Sequence, residues 1–352
     1  MKPSNRIKVL DSLRLFAILL VFLHHYYSAG IYPELGKLFH FGAIGVPLFF
    51  IISGFVISLT LERTPNYLTY LKNRFIRLSP AMLICSTIIF VFFHFFYSGD
   101  GYLFSKDINN YFIANTFIDP HVFDLKSGTI KYYYLDNAFW SLWVEVCFYI
   151  VLGAFFYLKR DKYIIFYSIF CLIGFPIYLL FSSHIGYSLL INYFSEEQLK
   201  YYKLIARCCA LFSECFWFLI GIFLCKLHQN NRDYKFLLGI VICLFICLIR
   251  DFSLVALIFN ILIFIFTILF VYQPKYLKFL EQSFLIKIGT ASYCMYLIHY
   301  HLGVVFIKYL NQNYHLGYIS PIITICLVIF FGLFCYNYLE INLIKFYKKI
   351  FK

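Results

Sequence analysis

Charge is what this 352-residue sequence has least of: Asp, Glu, Lys and Arg together make up 13% of it. An ordinary soluble domain carries about 25%, so a protein folded wholly in water is excluded. Polar stretches long enough to form a second domain are also missing, although the length alone would suit about two. Cysteines number twelve, yet none forms a CxxC pair. Most lie inside apolar runs (Cys85, Cys147, Cys171, Cys243, Cys247, Cys326, Cys335), and the long connector 99–137 has none. They read as small buried hydrophobes rather than disulfide or metal partners. No small-residue cleavage site follows the first apolar run, which holds Asp11, Arg14 and paired histidines, so that run is not read as a cleaved leader. No repeat or low-complexity tract is present. Acidic residues are the scarcer sign, 17 against 30 Lys and Arg, for a formal net charge of +13. Those cations sit in short connectors rather than on one extended face, which argues against nucleic acid as a partner.

What is present is apolar: 62% hydrophobic and 23% aromatic residues, with a mean hydropathy of +0.79. A helix needs about 20 largely apolar residues to cross the hydrocarbon core. Spans are predicted at 9–28, 42–61, 79–98, 138–158, 163–182, 205–225, 236–250, 254–272, 286–307 and 319–339, the seventh being short and either little tilted or paired as a hairpin with the eighth around Arg250-Asp251. With an inside N-terminus, 20 Lys and Arg fall in inside segments and nine in outside ones. The positive-inside rule then orients the chain. The fold class is therefore all-α, a polytopic transmembrane bundle of about ten helices with both termini cytoplasmic, forming one domain over 1–352. The connector 99–137 falls outside, either covering an external site or simply solvated.

Ionisable groups inside a span are expensive, so each is a functional candidate. Arg14 and His25 are eleven residues apart, which returns to the same helix face within ~20° and rises ~16 Å. Asp11 lies within ~40° of that stripe, whereas His24 is turned away by ~80°. A cation at one mouth and a deep imidazole suit an extended anionic ligand whose reactive end points inward, provided both border one shared tunnel. The same groups also fit a structural ion pair and a packed histidine. Arg74 and Arg77, three apart, share a helix face and can grip phosphates with forked donors. Glu145, in Trp140-Ser141-Leu142-Trp143-Val144-Glu145, is a membrane carboxylate able to orient a histidine or accept a proton. His299 and His301 diverge on a helix, which argues against a metal pair, and packing is their favoured role.

Taken together, these segments resemble the acyltransferase-3 family of bacterial membrane acyltransferases. The resemblance is carried by Leu10-Asp11-Ser12-Leu13-Arg14 followed by His25, by Gly45-Val46-Pro47-Leu48-Phe49-Phe50-Ile51-Ile52-Ser53-Gly54-Phe55, and by Arg74-x-x-Arg77 with Ser79-Pro80. Trp140-Ser141-Leu142-x-x-Glu145 and Ser292-Tyr293…Tyr296-Leu297-Ile298-His299 complete it, in order, across about 5–345. The residue after Glu145 departs from the family's frequent second carboxylate or Gln, so only Glu145 is carried over.

The resemblance implies transfer of an acyl group, usually acetyl, from cytosolic acetyl-CoA to a sugar hydroxyl at the outer face of a bacterial inner membrane. No metal is implied, and any soluble periplasmic partner would be a separate chain. Arg14, Arg74 and Arg77 would hold the CoA phosphates. His25 would act as general base or take the acyl group itself, with Glu145 or Asp11 orienting it. Ser53, Trp140, Ser141, Tyr293 and His299 would line the substrate path. Gly45, Ser53 and Gly54 would allow close helix approach. The rival reading is a transporter or flippase in which Arg14, His25 and Glu145 form a substrate or proton path.

Overall fold

A computed structural model describes residues 7–28, 31–99, 101–125, 129–182, 186, 188–189, 191, 193–229 and 233–351. Among the described residues it is all-helical, with no strand. The long apolar runs form helices because a chain crossing lipid must satisfy its backbone polar groups within itself. Eight helical segments are long and apolar enough to cross a membrane, and the molecule is a multi-pass membrane protein.

In chain order these begin with α1 (Lys8–Ser28), the short α2 (Pro33–Phe39) and a 3-10 turn at His40–Ile44 leading into α3 (Gly45–Arg63). Helix α4 (Tyr67–Val91) starts where the Asn66 side chain accepts the Thr69 N–H at 2.9 Å, and it ends in a π turn, Phe92–Phe96. The connector that follows holds three short helices, α5 (Leu103–Lys106), α6 (Ile108–Ala114) and α7 (Pro120–Asp124). Then come α8 (Trp140–Leu158), α9 (Tyr163–Ser182), α10 (Glu196–Cys208), α11 (Leu211–Gln229), α12 (Tyr234–Arg250) and α13 (Leu254–Tyr272). The predicted seventh span is α12, only 17 residues long, packed as a hairpin on α13.

The predicted ninth span is divided into α14 (Ser283–Thr290), α15 (Ser292–Ile298) and α16 (Tyr300–Tyr314). Discontinuous helices are tolerated at membrane depth where protein or a cavity, not lipid, surrounds them. Here α15 is buried along almost its whole length. Helix α17 (Ile319–Phe334) continues through a π turn, Cys335–Glu340, into α18 (Ile341–Ile350).

α1 is the central element, packed against α2, α3, α14, α15, α16 and α17. Two close approaches set its surroundings. A Cβ at Gly289 would collide with the Asp11 carbonyl, so α14 lies directly on the α1 backbone. Helices α3 and α11 cross just as tightly, since a Cβ at Gly54 would strike the Phe218 carbonyl and one at Gly221 the Ile51 carbonyl. In lipid, where apolar side chains gain little by leaving their surroundings, such backbone contact is a main source of helix association. Large apolar side chains on the outer faces of α9, α12 and α13, among them Leu172, Ile173, Phe245, Ile249 and Leu262, are exposed as a lipid-facing surface would be.

Candidate active site

Helices α1, α3, α4, α8 and α15 enclose a cavity of about 520 Å³. Eight residues predicted from sequence line it: Asp11, Arg14, Ser53, Arg74, Arg77, Ser141, Glu145 and Tyr293. Five separate helical segments thus deliver their polar groups to one space. Arg63, Tyr149 and Tyr296 line it too and were not singled out. Arg63, at the end of a predicted span, cannot be told in sequence from a cation that only sets topology, and the tyrosines are indistinguishable in sequence from other aromatics in apolar runs.

The four arginines are held differently. Arg14 donates to Asp11 at 2.8 Å, one turn back on α1, and Asp11 is buried. Arg77 pairs with Glu340, which the π turn after α17 carries into the interior and which is fully buried. Cys294 Sγ adds a contact to the second Glu340 oxygen at 3.0 Å. Removing the cation from such a pair strands a buried carboxylate, at a cost of about 3–5 kcal/mol. Arg77→Ala is therefore expected to lower the melting temperature of the purified protein, and Arg77→Ala with Glu340→Gln to recover much of the loss. A melting curve in detergent checks both.

Arg63 and Arg74, by contrast, have no ion pair among the described residues. Buried Arg74 Nε and Tyr293 Oη also lack hydrogen-bond partners. A burial that leaves donors unmade costs free energy, so these groups define a place where an acceptor-rich ligand would be stabilised. Deeper in, Glu145 accepts from Ser53 Oγ at 2.5 Å and from the Tyr149 hydroxyl one turn along α8. Its hydrogen bonds thus go to Ser53 and Tyr149 rather than to His25.

His25, Trp140 and His299 do not line the cavity. Trp140 packs edge-on against Phe50, with ring centroids 6.4 Å apart. The His25 ring lies 5.1 Å from that of His299 and 4.3 Å from Tyr300. Tyr296 belongs to both regions: it lines the cavity, and its ring centroid is 5.2 Å from His299. Its hydroxyl is fastened to Ser141 Oγ at 2.7 Å and to the Ala138 carbonyl at 2.9 Å. The cavity lining thus includes Arg14 but not His25, and Tyr296 is the lining residue whose ring lies next to the His299–His25 pair.

The connector between α4 and α8 is packed rather than loosely solvated. Ser105 Oγ donates to the Leu135 carbonyl at 2.7 Å and lies 2.9 Å from His301 Nδ1, while Asp136 accepts the His301 N–H at 2.9 Å. These bonds tie the connector to the first turn of α16, next in sequence to Tyr300 and the His25 cluster. Within it, burial and then the Asp119 carboxylate push the Tyr134 phenol far above its ordinary value. Tyr134 accordingly stays a protonated donor to Asp119. Among the described residues no group of three or more His, Cys, Asp or Glu is placed to hold a metal.

A polytopic helical membrane protein with an arginine-lined internal cavity and an imidazole cluster beyond it defines the class. The chain belongs to the acyltransferase-3 family, matching it as an acyltransferase domain over residues 7–337. It is 31% identical over 159 residues to an O-acetyl transferase of Shigella phage Sf6. That alignment takes in 43% of this chain and spans 47% of the relative, about half its length. No solved structure matches.

Proposed function

We propose that the protein moves an acetyl group from cytosolic acetyl-CoA to a hydroxyl of a cell-surface carbohydrate, such as O-antigen, capsule or exopolysaccharide, across a bacterial inner membrane. The observation that carries this reading is Arg74, unpaired and with a buried orphan Nε, sharing one cavity with Arg14, Arg63 and Arg77. A cation with a buried donor left unmade is costly and marks a place for an anionic ligand. Guanidinium groups match phosphate oxygens with paired donors, and the volume lies within the range of about 300–1,000 Å³ that small ligands fill. The excess of Lys and Arg in the segments on the side of the N-terminus supports a cytosolic arginine mouth and cytoplasmic termini. The phage relative's name supports oxygen as the acceptor atom and acetyl as the group.

In this reading the CoA phosphates are held by Arg63 and Arg74, with Arg14 and Arg77 adding charge, and the pantetheine arm runs past Ser53 and Glu145. A swing of the Tyr296 ring admits the thioester to His25. Neutral His25 takes the proton of the acceptor hydroxyl as its oxygen attacks the thioester carbonyl. The C–S bond breaks as the C–O bond forms, and the departing thiolate receives that proton.

The test uses membrane vesicles of the producing cell, which contain its own acceptor, with radiolabelled acetyl-CoA. An acyltransferase releases CoA and labels carbohydrate; a transporter leaves the thioester intact. Losing a charge-assisted phosphate contact costs about 1.5–3 kcal/mol, so Arg74→Ala is expected to raise the apparent KM for acetyl-CoA about tenfold or more with kcat little changed. Arg74→Lys should recover part of this. An unchanged KM would remove Arg74 from the donor site.

A further inference from the structure

His299 is completely buried, and its ring is not simply packed. Nδ1 lies 2.6 Å from the Tyr296 carbonyl, one turn back. A carbonyl only accepts, so Nδ1 carries the hydrogen. In a neutral imidazole the other nitrogen is then a bare lone pair. That atom, Nε2, is buried and has no hydrogen-bond partner. Leaving an acceptor unmade in the interior is costly, and a packing residue has no need of it. The rings around His299 are those of Phe22, His25, Tyr296 and Tyr300, at 5.6, 5.1, 5.2 and 6.2 Å. Phe22 has no donor, and the Tyr296 hydroxyl is committed to Ser141 and Ala138. That leaves the His25 N–H and the Tyr300 hydroxyl as donors, and the His25 ring is the nearer, 5.1 Å against 6.2 Å.

We propose that His299 is a positioning residue for His25: its Nε2 accepts the His25 N–H when the site closes on substrate, fixing the tautomer whose opposite nitrogen faces the acceptor hydroxyl. This rests on the acyltransferase reading above and deepens it. When His25 takes the acceptor's proton, the resulting imidazolium donates its existing N–H to His299. When that proton passes to the thiolate, both rings are neutral again, so His299 itself gains and loses nothing. The Tyr296 carbonyl plays for His299 the part that His299 plays for His25, making a line of three groups from the broken helix to α1.

The experiment compares wild type, His25→Ala, His299→Leu and His299→Gln in the same vesicles with radiolabelled acetyl-CoA, each normalised to folded protein by its detergent melting curve. Wild-type labelling that depends on His25 upholds the enzyme reading, and its absence defeats that reading rather than the role of His299. With wild type active, His299→Leu, which fills similar space without an acceptor, is expected to lower kcat about 100-fold with the KM for acetyl-CoA unchanged. His299→Gln, whose carboxamide oxygen can stand where Nε2 stood, is expected to stay within about tenfold of wild type. Folded His299→Leu retaining kcat within about threefold, or folded His299→Gln as inactive as His299→Leu, overturns the proposal. Failure of both variants to fold overturns it too, since the ring would then be a packing element.

Discussion

His25→Ala is expected to abolish acyl transfer while leaving the protein inserted, folded and able to bind CoA. Loss of a positioned general base removes about 10²–10⁴-fold in rate, and a covalent role would remove more. The separation of binding from chemistry comes from where His25 sits. It is outside the cavity that holds the arginines, so in the proposed reading the donor's phosphates would keep every partner. The ring is only partly buried and touches His24, His299 and Tyr300, so removing it opens little space within the tightly packed interior. Equilibrium binding of CoA to detergent-purified protein and label transfer in vesicles measure the two halves. Full activity in the variant would end the mechanism. Lost CoA affinity would mean that His25 belongs to the donor site after all.

The second large effect is on the fold itself. Gly54→Leu is expected to prevent stable assembly, and Gly221→Leu to do the same. Overpacking a filled interior costs about 1–3 kcal/mol, and here the obstacle is rigid. The new side chain at 54 would meet the Phe218 backbone and Gly221 Cα, and the one at 221 would meet Ile51 O and Phe55 N. No flexible neighbour can step aside, so shrinking a nearby side chain should rescue neither variant. Because α3 carries Ser53 beside Gly54, the forced separation would also pull Ser53 from Glu145. Accumulation in the membrane and the melting midpoint report the first effect. A Gly54→Leu protein with wild-type stability would show that α3 and α11 are not in backbone contact.

Much of this was legible in the sequence because hydropathy is a local property that lipid enforces everywhere. Eight of the predicted spans correspond to helical segments long enough to cross. The other two were written less plainly. α12 is short, and 286–307 reads as one apolar run although it lies across three helical pieces, with the break at His299 held by the hydroxyl of distant Tyr26. The stripe on α1 correctly grouped Asp11 with Arg14, since helix periodicity fixes contacts three apart. It did not reveal that Tyr296, 271 positions from His25 in sequence, would line the cavity and lie beside the His299 ring. Nor could spacing pair Arg77 with Glu340, 263 residues away. The Arg63 contribution was hidden by a second cause: a cation at a helix end satisfies topology and ligand binding alike, and composition cannot separate the two.

The Tyr296 ring also bears on how the cell survives such a protein. A wet passage open at both ends would short-circuit the potential across the bilayer, where each elementary charge moving down 100 mV releases about 2.3 kcal/mol. In the proposed reading the Tyr296 ring, hydrogen-bonded at its tip to Ser141 and Ala138, would have to hold back protons and sodium and still let a thioester pass. On that reading energy conservation and acyl transfer would depend on the same phenol, and a smaller side chain there would be tolerated by the chemistry sooner than by the membrane.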